Sequence, residues 1–207
     1  MMSTRGGTGM STLALNIRMH GRETVIIGGG TVALRKAGTL MQAGASIRII
    51  AREICPELSA LADSGRLQVR IGNYRSADLD GAFLVVAATD NAVINGQVHA
   101  DAHDRGILVA VTDDPATGDC TFPAILRRGD LEIAVSTGGL CPTFAVDVRD
   151  EIGERIGPEY GLILDQLGSE REKLLTNGSP RTYNTQVLRS LAGRLLAEHT
   201  DRKEPLP

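Results

Sequence analysis

Thr24-Val25-Ile26-Ile27-Gly28-Gly29-Gly30-Thr31-Val32-Ala33-Leu34-Arg35-Lys36 decides the fold, because an apolar run of strand length passes straight into a glycine turn that opens a helix. Within it, Gly28, Gly30 and Ala33 keep the G-x-G-x-x-G/A spacing. In a strand-turn-helix unit the first glycine makes the tight turn and the second lets main chain approach a pyrophosphate. The small third residue lets the helix pack on the strand. Exposed N–H groups at the positive helix end then meet the phosphates. A glycine turn serving an α/β fold without a nucleotide is the plainer alternative, and the ordered strand, turn and helix weigh against it.

Outward from this turn, apolar runs of strand length recur at residues 24–28, 46–51, 67–71, 83–88, 107–111 and 131–135, with helical patterns between most of them. Such alternation predicts a doubly wound α/β sheet. A helix over residues 31–43 should stop at Gly44, and a second over residues 91–104 would take Asp90 as its N-cap. After Val111 the pattern changes. Residues 120–126 and 131–135 read as strands flanking an Arg127-Arg128-Gly129-Asp130 loop, a hairpin outside the first sheet. From Pro142 the chain turns helical, over 143–156, 160–175 and 183–197, with a polar break at Asn177-Gly178-Ser179-Pro180. Residues 5–9 and 202–205 read as unpacked, solvated ends.

Composition narrows the class. A net charge of −3 gives no electrostatic case for wholesale nucleic-acid or membrane binding, so an anionic ligand must meet local cations. With 42% hydrophobic but only 3% aromatic residues, the core must be aliphatic, which suits a buried parallel sheet and ill suits a base-stacking platform. Cys55, Cys120 and Cys141 are widely spaced and odd in number, which points to a reducing cytoplasm. Neither a long apolar span nor a secretory leader is legible, so a soluble protein is expected.

Several residues are candidates for chemistry. NAD-type sites place an acid about 20 residues past the glycines to hold the ribose, and here that place reads Arg52-Glu53. Glu53 suits a ribose diol and Arg52 a 2′-phosphate, so the pair leaves NAD against NADP open; two solvated charges are the alternative. Thr89 and Asp90 follow a strand at the edge where cofactors bind, either as ligands or as a cap. Asp113 and Asp114 follow the next strand, and one of them is a candidate base, the other reading being a turn with Pro115. Ser136-Thr137-Gly138-Gly139 repeats a strand-then-glycine design suited to an anion. His99 and His103 share a helix face, yet no third metal ligand lies near them in sequence, and no metal site is expected.

Gly28-Gly29-Gly30-Thr31-Val32-Ala33-Leu34-Arg35-Lys36, Ala87-Ala88-Thr89-Asp90-Asn91, Val111-Thr112-Asp113-Asp114-Pro115, Phe122-Pro123-Ala124 and Ala134-Val135-Ser136-Thr137-Gly138-Gly139-Leu140-Cys141-Pro142 together resemble the siroheme synthase amino-terminal family, the precorrin-2 dehydrogenases. The resemblance spans about residues 16–175. It implies NAD-dependent oxidation of precorrin-2 to sirohydrochlorin, insertion of ferrous iron in some members, and an intertwined homodimer. It further implies a Rossmann-like parallel sheet over residues 13–113, a small β dimerisation region over 114–145 and a C-terminal helical domain over 146–207. Asp113 stands in the position linked to catalysis, and Thr137 in that of a hydroxyl lining the tetrapyrrole cleft. Gly28, Gly29, Gly30, Thr31, Val32, Arg52, Glu53, Thr89 and Asp90 would contact the cofactor.

Oxidation of a reduced tetrapyrrole sends a hydride to nicotinamide and a proton to a base, for which Asp113 is the candidate. The substrate's carboxylates would meet Thr137, Gly138, Gly139, Arg127 and Arg128, with Arg149 and Arg155 as further cations. Cys141 departs from the family, which commonly has serine there. The chain ends without the methyltransferase domain of some relatives, so no fused methylation is expected. A non-catalytic NAD-sensing module and an NADP-linked reductase of another small substrate are the competing readings. The first gives Asp113 no role; the second wants a Tyr-Lys or His donor, and Tyr74, Tyr160 and Tyr183 show no such pairing.

Overall fold

The computed structural model describes residues 12–178 and 181–201. Residues 5–9, 179–180 and 202–205, for which the sequence suggested unpacked or turn structure, lie outside the described residues. The chain divides into two compact units, Met1–Phe122 and Pro123–Pro207.

The first unit alternates strand and helix: β1 (Glu23–Ile27), α1 (Thr31–Gln42), β2 (Ser46–Ala51), α2 (Pro56–Asp63), β3 (Gln68–Ile71), a single 3-10 turn (Ser76–Leu79), β4 (Leu84–Ala87), α3 (Ala92–Asp104) and β5 (Leu108–Val111). All five strands are parallel, in the order β3-β2-β1-β4-β5. Strand order reverses between β1 and β4, which opens a crevice at their carboxyl ends, the place where such sheets hold ligands. The period-2 alternation of side chains sorts the core into two layers. Ile26, Ile47 and Ile49 pack with Ala33, Ala37 and Leu40 of α1 and Leu58 of α2. Val25, Ile27, Ile50 and Val85 pack with Val98 and Ala102 of α3. The expected doubly wound α/β sheet is therefore the observed one, with strand ends within a residue of those read from the sequence.

α1 ends as the sequence indicated, with Gly44 at φ +77 just beyond the Ala43 cap. The start of α3 corrects it. Asn91, not Asp90, is the N-cap, because its side-chain oxygen accepts from Val93 and Ile94 N–H at 3.0 and 3.2 Å. α2 was not foreseen; its eight residues are too few for a clear helical period, although Pro56 at the first turn fits a helix start.

The second unit holds an antiparallel hairpin, β6 (Ala124–Arg128) and β7 (Leu131–Val135), and three helices, α4 (Pro142–Arg155), α5 (Glu159–Thr176) and α6 (Arg181–Asp201). The hairpin is shifted from the expected one. Arg127 and Arg128 lie in the ladder, opposite Glu132 and Leu131, and the turn is only Gly129-Asp130 with Gly129 at φ +57. Residues before Pro123 are taken up elsewhere: Asp119 and Cys120 N–H both bond the Val109 carbonyl, at 2.8 and 3.4 Å, covering the free edge of β5. α5 approaches the hairpin closely enough that a Cβ on Gly161 would stand 2.6 Å from the Arg128 carbonyl oxygen.

Candidate active site

The candidate phosphate cradle is built by three glycines with different duties. Gly28 has φ +127, and a Cβ there would stand 2.2 Å from the Ala88 carbonyl oxygen, so β1 and β4 meet only over a glycine. Gly29 backs onto the segment after β2: its Cβ would lie 2.0 Å from the Glu53 carbonyl oxygen, and its own carbonyl accepts from Cys55 N–H at 2.8 Å. Gly30 is the N-cap of α1, and a Cβ there would meet nothing within 4 Å. No side chain caps this helix and no acid stands in its first turn. The leading N–H groups of Thr31 and Val32 therefore face open space with the positive end of the helix dipole, an arrangement that fits a pyrophosphate.

Around the cradle, Arg52 and Glu53 are both exposed just past β2. Thr89 follows β4 and is held by a residue the sequence reading missed. Asn95 is only 1% exposed; its side-chain oxygen accepts from Thr89 N–H at 3.2 Å and Thr89 Oγ1 at 2.7 Å, and its amide donates to the Thr89 carbonyl at 3.1 Å. A polar residue on the helix face that also carries Val98 and Ala102 was the available signal. Asp90 is exposed beside it.

Asp113 leaves the same carboxyl edge. Thr112 anchors its base, with both N–H and Oγ1 donating to the Ala87 carbonyl at 3.0 Å. The adjacent carboxylates then part company: Asp114 accepts from Ala116 N–H and Thr117 Oγ1, closing a turn, whereas the exposed Asp113 carboxylate has no hydrogen bond or ion pair among the described residues. Of the two adjacent carboxylates, Asp114 is therefore the turn residue, as the alternative reading of the pair with Pro115 expected for one of them.

Lys36, on α1, lies with its Nζ 4.1 Å from the Phe122 ring centroid. Burial, with help from Arg35, lowers its pKa to about 8. Burial and then Asp119 raise the nearby Cys120 thiol to about 11.

In the second unit, Thr137, Gly138 and Gly139 form the turn between β7 and α4, with both glycines at positive φ. Thr137 Oγ1 accepts from Cys141 N–H at 3.2 Å, and Ser136 Oγ from Gly138 N–H at 3.2 Å. The exposed Cys141 thiol is held below its ordinary pKa by the Thr143 hydroxyl and the Phe144 N–H. Arg127 pairs with Glu132 at 3.2 Å. Arg128 donates to the Ile156 and Gly153 carbonyls at 2.7 and 3.0 Å, capping the end of α4. Arg149 and Arg155 pair with Asp150 and Glu151 on their own helix. His99 and His103 stack at 6.1 Å, and among the described residues no three metal-binding side chains cluster. No described helix is long and apolar enough to cross a membrane.

A parallel sheet with a glycine cradle at its switch point defines the class, a Rossmann-type dinucleotide-binding protein. Residues 15–124 match the family described as "putative NAD(P)-binding", and the chain belongs to that family. It is 43% identical over 152 residues to a siroheme synthase of Chromobacterium violaceum, covering 73% of this chain and 32% of that protein. It is 41% identical over 165 residues to a siroheme synthase of Pseudomonas entomophila, covering 80% and 36%. The chain thus spans about a third of the length of these relatives. The structure of SirC, a precorrin-2 dehydrogenase, superposes with a TM-score of 0.74 over 90% of this chain and 98% of that one, at 22% identity, and so shares the fold.

Proposed function

We propose that this chain is an NAD-dependent precorrin-2 dehydrogenase, oxidising precorrin-2 to sirohydrochlorin in siroheme biosynthesis. The observation that carries the reading is the free, exposed Asp113 carboxylate at the same sheet edge as the glycine cradle. Similarity to siroheme synthases and the fold shared with SirC support the choice of substrate.

NAD, when bound, supplies the hydride acceptor. The Gly28–Gly30 turn and the Thr31 and Val32 amides hold its phosphates, Arg52 and Glu53 its adenosine end, and Thr89 and Asp90 the middle. Asn95 keeps Thr89 in place. Asp113 takes the proton that leaves precorrin-2 as the hydride departs. Thr137, Gly138, Gly139 and Arg127 are assigned to the substrate's carboxylates. Arg128 joins them as a fixed positive charge, since its guanidinium already donates to α4. Siroheme formation also needs ferrous iron inserted into sirohydrochlorin, with iron as substrate; Asp113 is the group we assign to accepting pyrrole protons in that step. A homodimer in the cytoplasm completes the proposal, supported by three free cysteines and by exposed apolar side chains in the second unit.

The test is precorrin-2 oxidation with NAD and no added metal, in wild type and Asp113→Ala. Loss of about 10²–10⁴-fold in rate, with dinucleotide affinity kept, is the expected outcome for removal of a general base. An unimpaired variant would remove Asp113 from the mechanism.

A further inference from the structure

β4 ends at Ala87, and this residue with its neighbour Ala88 is the common support of the glycine cradle and of the Asp113 loop. Ala88 serves the cradle: its N–H donates to the Ile27 carbonyl at 2.8 Å, and its carbonyl closes over Gly28 so tightly that no side chain fits there. Ala87 serves the loop, since its carbonyl accepts twice from Thr112, from the N–H and from Oγ1, each at 3.0 Å. The N–H bond extends the parallel ladder, and any residue but proline would make it. The hydroxyl bond is particular to this side chain. It takes the second lone pair of the carbonyl and fixes the rotamer of the residue immediately before Asp113. The returning stem of the loop is held as well. Asp119 N–H donates to the Val109 carbonyl at 2.8 Å, its Oδ2 accepts from Val109 N–H at 3.1 Å, and a Cβ on Gly118 would stand 2.9 Å from the Val109 carbonyl oxygen. Between the stems Asp114 closes its turn onto Ala116 and Thr117. The Asp113 carboxylate has no hydrogen bond or ion pair among the described residues, so its place is set by main chain rather than by a partner.

We propose that the Thr112 hydroxyl is a positioning group for Asp113: by tying the preceding residue to Ala87, it holds the carboxylate at a fixed place relative to the cradle that Ala88 closes. This inference rests on reading Asp113 as the base. A proton acceptor acts only within hydrogen-bond reach of the proton it takes, and a misplacement of about 1 Å can cost about 10²-fold in rate. Without its hydroxyl, residue 112 keeps the ladder bond, so strand pairing persists while the stem of the loop gains freedom.

The test compares precorrin-2 oxidation with NAD by wild type, Thr112→Val and Thr112→Ser, with Thr112→Val made also in an Asp113→Asn background. Valine keeps the branched shape and removes only the hydroxyl; serine keeps the hydroxyl. Thr112→Val should lower kcat by about tenfold, with NAD affinity and the KM for precorrin-2 within about twofold of wild type, and Thr112→Ser should recover most of the rate. In Asp113→Asn, adding Thr112→Val should cost the residual rate nothing further, because both changes remove one contribution. Should Thr112→Val not fold, Thr112→Ala removes the same hydroxyl and is read in the same way. An unchanged kcat, a loss that appears in NAD affinity instead, or a loss that multiplies with that of Asp113→Asn overturns the positioning role and leaves Asp113 as the base. An Asp113→Asn variant at full rate overturns the base and the positioning role together.

Discussion

Asn95 shows how one buried amide can fix the loop that follows β4. It uses both ends of its side chain on Thr89, so Asn95→Ala leaves the Thr89 N–H and hydroxyl without that partner. The expected loss is about 1–3 kcal/mol of unfolding free energy in denaturant melts, the cost of orphaned buried polar groups, with weaker dinucleotide binding besides. Lys36 and Cys120 make a pH prediction of opposite signs. The folded pKa of Lys36, about 8, lies below its ordinary 10.5, so its penalty is full below pH 8 and fades as pH rises toward 10.5. Cys120 has its folded pKa near 11, above its ordinary 9.0, so its contribution is present below pH 9 and is lost as pH rises through 11. Between pH 8 and 9 Lys36 acts alone, and stability should rise, by no more than the order of 1 kcal/mol after solvent screening. Lys36→Met should remove that rise; a rise that persists would assign it to another group. Cys141, exposed and with a lowered thiol pKa, should be alkylated by iodoacetamide before Cys120, as peptide mass spectrometry would read.

At the scale of elements, the glycine turn separates folding from binding. Gly28→Ala meets the Ala88 carbonyl and a disfavoured φ, and should cost about 3 kcal/mol or more in thermal or denaturant unfolding. Gly30→Ala has neither problem. It should unfold within about 1 kcal/mol of wild type, the cost of alanine in place of glycine at a helix N-cap, yet bind NADH more weakly, because its methyl group occupies the open space above the helix start. Equal NADH affinity in Gly30→Ala would place the phosphates elsewhere. These elements were legible because short continuous apolar runs and the glycine spacing are local signals. What escaped was set by pairing across a turn or loop, or by competition between neighbours. Asn91 outcompetes Asp90 for the cap through its own geometry, Arg127 and Arg128 are held in β6 by Glu132 and Leu131, and Cys120 is drawn to the edge of β5. The Asp113-Asp114 pair stood out in the sequence, but that Asp114 is the one used in a turn depends on its hydrogen bond from Thr117.

At the scale of the molecule, the proposed dimer can be tested directly, beginning with apolar side chains that the second unit leaves exposed. Leu140 is 83% exposed, Phe144 58% and Leu162 60%, apolar side chains that a second copy of the chain would cover in the proposed dimer. Sedimentation should therefore report twice the 22.0 kDa chain mass, and Phe144→Glu should shift it toward the monomer; a wild-type monomer would contradict the proposed dimer. The reaction itself is the most direct test. This chain, precorrin-2 and NAD, mixed without metal, should give sirohydrochlorin by its visible absorbance and NADH by its fluorescence in equal amounts. NAD bound while precorrin-2 stays reduced would contradict the dehydrogenase and leave a dinucleotide-sensing protein in its place.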